Sequence, residues 1–162
     1  MDSGEMIREN LTAAEIGAMV RSMIDNMTEG VLAIGFDGLI LYANPAASDI
    51  LEMEQSELVG SKFGAVLIGR PENDDFVQAM LEAVRVKNDP VRKVVPFLDG
   101  KGRKKYLQVT ATYQPKKENG VSVTMVIEDL SELFDLRDAV RAMEHINDLN
   151  QQLRILTELL SN

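Results

Sequence analysis

Cysteine and tryptophan are absent from this 162-residue chain, and histidine occurs once, at His145. The missing thiol excludes disulfides, thiolate zinc sites, cysteine nucleophiles and cysteinyl flavin adducts together. A single histidine leaves multi-histidine metal sites and histidine-dependent triads almost nothing to build on. Positive charge is scarce too: 17 basic side chains face 26 acidic ones, a net charge of -9, the wrong balance for a phosphate-binding surface. Aromatics are 5% of the residues, so the interleaved rings that stack on single-stranded bases are missing, and nucleic acid is not an expected partner. No stretch reaches the roughly 20 apolar residues of a membrane helix, and Asp2, Glu5 and Glu9 stand where a signal peptide carries basic charge. Membrane insertion is therefore not expected, and the expected compartment is the cytoplasm. Nor is there a glycine-rich phosphate loop with its lysine, a nucleophile elbow or a paired metal motif, so no enzyme activity is expected of this chain.

What is present suits a packed domain. Apolar residues make up 45% and charged residues 27%, and the length covers one domain of roughly 100 to 150 residues with a surplus. The apolar pattern changes period twice, and those changes mark the expected boundaries. Thr12 and Glu15 form a capping-box signature that opens a helix to about Met27, whose Ile16, Met19, Val20, Met23, Ile24 and Met27 make one apolar stripe. From Gly30 the period is two. Leu32, Ile34 and Phe36 share one face, Asp37-Gly38 signals a tight turn, and Leu39, Leu41 and Ala43 continue beyond it as a β-hairpin. Asn44-Pro45 starts a short helix through Leu51. After a polar stretch broken by Gly60, Gly64, Gly69 and Pro71, Phe76, Met80, Leu81 and Val84 place a longer helix over about 73–86. Three strands follow: Val91 to Leu98, a second through Leu107, Val109, Ala111 and Tyr113, and, past a polar loop at 116–120, a third through Val121, Val123, Met125 and Ile127.

Several small motifs have local reasons. Gly30 is expected to take the φ that reverses the chain after a helix, and both glycines of Asp99-Gly100-Lys101-Gly102 are expected to supply positive φ in a turn. Asn44 is suited to end a strand and cap the next helix, with Pro45 at its first position. Asp129, three residues before Glu132, is suited to cap an exit helix. Residues 85–117 carry ten lysines and arginines against Asp89 and Asp99, a basic hairpin that either guards a β-edge or docks acidic helices of a partner.

From Asp129 onward there is neither glycine nor proline, which reads as one helix to Asn162. Leu133, Leu136, Val140 and Met143 fit one a/d seam, and Ile146, Leu149, Leu153, Leu156 and Leu160 fit another, out of step with the first near His145. At roughly 1.5 Å per residue the two seams span about 42 Å, too long to fold back on so small a domain. The helix is expected to project, and its stripe to require a second chain. Because the helix runs to the last residues without a stop signal, an effector domain is expected to follow in the same polypeptide. The neighbours of His145 lack the Ser-His-Glu-Leu-Arg-Thr-Pro type of run found at kinase phosphoacceptors, so a solvated helix histidine is expected.

The run Ile24-Asp25-Asn26-Met27-Thr28-Glu29-Gly30-Val31-Leu32 is followed in order by Asp37-Gly38, Tyr42-Ala43-Asn44-Pro45-Ala46-Ala47, Leu58-Val59-Gly60, Asp99-Gly100-Lys101-Gly102 and Glu128-Asp129-Leu130-Ser131. This series, over about 21–131, resembles the PAS domain, the sensory module of bacterial signalling proteins. The resemblance implies an α+β PAS fold: a five-stranded antiparallel sheet with a helical middle region, an N-terminal amphipathic helix and a long C-terminal coiled-coil helix. It divides the chain into an N-terminal tail and helix (1–28), the PAS domain (29–131) and a coiled-coil signalling helix (132–162).

Ile34, Tyr42, Phe63, Phe76, Met80, Tyr113, Met125 and Ile127 are the implied inward positions, and they either pack a core or surround a small unknown molecule. Haem is disfavoured, since the family's axial histidine belongs on the long middle helix, which has none here. Covalent flavin and coumaroyl chromophores need a cysteine, and a non-covalent flavin finds few aromatic contacts, so no cofactor is the expectation. Asp129, Leu130 and Ser131 form the implied signal junction. Ile16, Met19, Val20 and Met23, with Leu133, Leu136, Val140, Met143, Ile146, Leu149, Leu153, Leu156 and Leu160, form the implied homodimer interface. The implied function is a regulatory sensor and homodimerisation module that signals through its coiled coil to an effector: a histidine kinase, a diguanylate cyclase or a class III nucleotide cyclase. The alternative is a passive protein-protein assembly module with no sensed ligand.

Overall fold

A computed structural model describes residues 11–67, 70–115 and 120–161. The expected tail at 1–10, the break at Gly69, the polar loop at 116–119 and the terminal Asn162 lie outside the described residues. Helix α1 (Ala13–Asp25) starts where its cap predicts: Thr12 is extended, and its hydroxyl accepts from the Glu15 N–H at 3.2 Å. Strands β1 (Gly30–Gly35) and β2 (Ile40–Ala43) form the hairpin. The helical middle comprises α2 (Pro45–Leu51), α3 (Gln55–Leu58), α4 (Phe63–Leu67), a 3-10 turn (Pro71–Asn73) and α5 (Asp74–Val86). Strands β3 (Val91–Leu98), β4 (Lys104–Tyr113) and β5 (Val121–Asp129) follow, and α6 (Ser131–Leu160) closes the series.

The strands make one antiparallel sheet in the order β2-β1-β5-β4-β3. Side chains paired across antiparallel strands point the same way, so the register sorts the residues into rows. Leu32, Met125, Ala111 and Val91 form one buried row, and Ile127 with Val109 forms the next. The middle helices cover this face. Ala79 and Ala83 have no exposed surface, and their small size lets α5 lie close across β3, β4 and β5. Phe76 at the centre packs its ring 5.6 Å from Phe63 and 5.1 Å from Phe97. Because Gly30 pairs with Ile127, α1 ends and α6 begins at the same end of the sheet.

Three local expectations are corrected by geometry. The alternation of the hairpin does not continue through Leu39, Leu41 and Ala43: Ala33 pairs with Tyr42 and Ile34 with Ile40, which leaves Leu41 as an extra residue on β2. That irregularity turns Ile40 and Ala43 inward and leaves Leu41 and Phe36 exposed. Gly30 is not a positive-φ residue; a Cβ there would stand 2.9 Å from the Ala47 Cα, so close approach of α2 is what demands glycine. In the β3–β4 turn only Gly102 has positive φ (80°), whereas a Cβ on Gly100 would stand 2.0 Å from the Glu52 carbonyl oxygen.

Asn44 does more than cap α2. Its side-chain oxygen accepts from the Val31 N–H at 2.8 Å and the Ala47 N–H at 2.9 Å, and its amide nitrogen donates to the carbonyls of Ile24 at 2.9 Å and Glu29 at 3.0 Å. The residue has no exposed surface. Asn44→Ala strands four backbone groups, and the expected loss is roughly 2 to 4 kcal/mol of unfolding free energy in urea titrations. Asn44→Asp keeps both acceptors but turns a carboxylate oxygen toward two carbonyls, so it should rescue the loss only in part.

Candidate functional site

The centre of the core is closed. Phe63 and Phe76 meet Leu32, Ile40, Leu51 and Leu67 around a void of about 10 Å³, at the lower limit for a single water molecule. Met125 and Ile127 are fully buried in the sheet rows above it. Tyr42 does not face inward: alternation from the inward Ala43, paired with Leu32, puts it on the opposite face of the sheet, beside Ala33, where its hydroxyl donates to Asp25 of α1. Burial, then the hydrogen bond and charge of Asp25, push the Tyr42 phenol up to about 12. α5, the long middle helix, carries no histidine and the chain no cysteine.

Ile34, Met80 and Tyr113 line a different space, an open cavity of about 370 Å³ at the C-terminal end of α5. Ile34, Val123 and Tyr113 form the third row of the sheet, and Met80 and Val84 of α5 face them across the cavity. At the rim the Lys87 ammonium lies 5.7 Å from the centroid of the Tyr113 ring. The eight expected inward residues are thus divided: five are buried in the core, Ile34 among them at the cavity wall, Met80 and Tyr113 are half-buried at the cavity, and Tyr42 faces away.

The basic hairpin finds much of its opposite charge inside the domain. Lys93 pairs with Glu82 of α5, Lys101 and Arg103 reach Glu52 at 3.2 and 2.7 Å, and Arg103 and Lys105 reach Asp99 at 3.3 and 3.4 Å. The Glu52 pairs tie the β3–β4 turn to the end of α2, and Lys93–Glu82 ties β3 to α5. Asp99 is fully buried, which works against its charged form. Hydrogen bonds from the backbone N–H groups of Arg103 and Lys101, with the Lys105 ammonium, outweigh burial and hold its carboxyl below the usual range.

The junction residues continue the sheet into α6. The β4–β5 ladder ends at Leu107 and Asp129. The Leu130 N–H then donates to the Tyr106 carbonyl at 2.8 Å, and the Tyr106 N–H donates to the Ser131 hydroxyl at 3.0 Å. The expected cap is corrected: the N-cap of α6 is Leu130, which has no side-chain cap, and Asp129, one residue before it, accepts from the Ser131 N–H at 2.9 Å and does not form a capping box with Glu132. Phe134 stacks on Tyr106 at 4.6 Å, and every residue of α6 beyond it is exposed. The stripe residues of both flanking helices are therefore bare: Ile16, Met19, Val20 and Met23 on α1, and Leu133, Leu136, Val140, Met143, Ile146, Leu149, Leu153, Leu156 and Leu160 on α6. Ile155 and Leu159, outside both seams, are exposed too. His145 is exposed on α6. Among the described residues no helix is long and apolar enough to cross a membrane.

The family model described as the PAS fold matches residues 18–130. Among solved structures, a PAS domain from Colwellia psychrerythraea is similar at a TM-score of 0.60 and 9% identity, covering 72% of this chain and 98% of that one. A PAS domain from a two-component sensor histidine kinase is similar at 0.57 and 17% identity, covering 73% and 99%. A domain of a sensory box sensor histidine kinase/response regulator from Geobacter sulfurreducens gives 0.57 and 16%, covering 73% and 97%. Comparison with curated proteins returns no match.

The Asp99 pairing generates a pH dependence of stability. A carboxyl whose folded pKa is lowered contributes stability that is full above its unfolded value, near 4, and is lost as pH falls through the folded value. Asp99→Asn should therefore be less stable than the parent near neutral pH, and the gap should narrow as urea titrations move stepwise below about pH 4.

Proposed function

The chain belongs to the PAS family, and from that premise we propose a sensory, homodimerising module that passes a signal from its sheet into α6 and on to an effector in the same polypeptide. PAS is a sensory domain and not a catalytic one, so the chemistry of the output belongs to that effector: a histidine kinase, a diguanylate cyclase or a class III nucleotide cyclase. One observation carries the reading. Two helices attach to the same end of one sheet, and each leaves with an apolar stripe that none of the described residues covers. Burial of apolar surface at roughly 25 cal/mol per Å² favours pairing of such stripes between copies. The α1 stripe packs against its twin or across the partner's sheet, and the α6 stripes pair as a coiled coil.

The cofactor reading follows the residues: neither haem nor covalent flavin, and a small molecule held by shape and a few polar groups. The closed centre of the core favours a second reading, a passive assembly module whose domain senses no ligand at all.

Light scattering on the chain at tens of micromolar should give a dimer, and Leu149→Asp with Leu153→Asp should give a monomer whose domain unfolds at the same temperature. A monomeric parent would remove the module as proposed. The two α6 seams differ by one position between Met143 and Ile146. One alanine inserted there makes the seam continuous, and the dimer should then persist on dilution below the concentration at which the parent dissociates. No change on dilution would count against both seams belonging to one interface.

A further inference from the structure

Space excluded from the middle of the domain reappears at its margin, and the chemistry there is selective. The cavity at the end of α5 measures about 370 Å³, within the usual size of small-molecule sites. Ile34 and Val123 give it an apolar floor, and Met80 and Val84 an apolar wall; Met80 adapts its shape to a guest. At the rim α5 ends on Lys87, at a positive φ (64°) with its backbone N–H closing on the Ala83 carbonyl.

Lys93, Lys101, Arg103 and Lys105 all have carboxylate partners, whereas no carboxylate pairs with Lys87 among the described residues. Its ammonium lies over Tyr113, at the cavity. The acidic group of the lining, Asp37, uses Oδ1 to accept from the Leu39 N–H of its own turn at 3.1 Å. A cation with no carboxylate partner among the described residues, beside an apolar, half-open cavity, selects a guest with one anionic head and an aliphatic body.

We propose that this cavity binds a small amphipathic carboxylate, its chain between Met80, Val84 and Val123 and its head on Lys87. The proposal deepens the sensor reading and rests on it. The test titrates the isotope-labelled 162-residue chain with octanoate, octanol and octylammonium, following backbone amide shifts. Octanoate should move the amides of Gly35, Val84 and Ser122, and octylammonium should not. Lys87→Gln should weaken octanoate by roughly fivefold, the upper range for an exposed ion pair, and leave octanol unchanged.

Octanoate shifts confined to α1 and α6, equal affinity for octylammonium, absence of binding, or an unchanged octanoate affinity in Lys87→Gln would each overturn the proposal. Light scattering on the same samples separates the two readings. A dimer whose Gly35, Val84 and Ser122 amides do not respond to octanoate overturns the ligand and leaves the dimeric module standing, while a monomer removes the module whatever it binds.

Discussion

Asn44 has two acceptor sites and two donors in its side chain, and all four are engaged within the fold, with no surface left to water. Their partners belong to four separate pieces: the end of α1, the connection to β1, β1 itself and the first turn of α2. In a low-dielectric interior such bonds are strong, and none can be exchanged for a bond to solvent. The amide thus fixes the angle at which α1 leaves and presses α2 against β1, where Gly30 meets Ala47 at a distance that excludes a Cβ. Once β1 is placed, pairing of Gly30 with Ile127 sets β5 beside it. The departure of α6 near that of α1 is then a consequence of sheet register.

The same register explains why the centre is full and the margin is not. In the first two rows of the sheet, large side chains face α5, which approaches closely because it offers Ala79 and Ala83. Phe63, Phe76 and Phe97 fill what is left between helix and sheet. The third row, Ile34, Val123 and Tyr113, lies under the last turns of α5, where Met80 and Val84 face it across the cavity before the helix ends at Val86. The open cavity is the space between that row and the end of the helix.

Much of this was legible in the residues. Period switches located the long helices and the five strands, Thr12 and Asn44 announced the caps they form, and two bare stripes announced helices without partners in their own chain. What escaped the sequence was contact between segments far apart along it. Gly30 and Gly100 looked like backbone-reversal glycines, yet each is required by an approaching main chain, Ala47 or Glu52, which no local pattern reveals. The extra residue at Leu41 shifted the β2 alternation and turned Ile40 inward, while Tyr42, next to the inward Ala43, takes the other face by simple alternation. Short helices α3 and α4 carry no periodic signal, since a single turn cannot repeat. Pairing of the basic hairpin with Glu52 and Glu82 depends on the fold bringing α2 and α5 to its side. Of the site, Ile34, Met80 and Tyr113 were legible as inward, but their separation from Phe63 and Phe76 was not.

Coupling between the sheet and α6 can be judged by magnitude. Three contacts fix the helix: the Leu130–Tyr106 and Tyr106–Ser131 hydrogen bonds and the stack of Phe134 on Tyr106. At about 0.5 to 1.5 kcal/mol for each hydrogen bond and a similar amount for the ring pair, the joint is worth roughly 1.5 to 4.5 kcal/mol. Opposite Tyr106 on the edge strand stands Pro96, which has no N–H to offer. By the alternation of an antiparallel ladder, both backbone groups of Tyr106 turn toward α6, and Pro96 needs no N–H at this pair. A joint of that size holds the orientation of a 30-residue helix, yet it lies within reach of the roughly 1 to 3 kcal/mol that a ligand or a second chain supplies as coupling energy. A stiffer joint would isolate α6 from the sheet's alternatives, and a looser one would let the helix swing without reporting on the sheet. Three contacts around one tyrosine, at roughly 1.5 to 4.5 kcal/mol together, are enough to hold the start of α6 to the sheet and few enough for a single substitution at Tyr106 to release it.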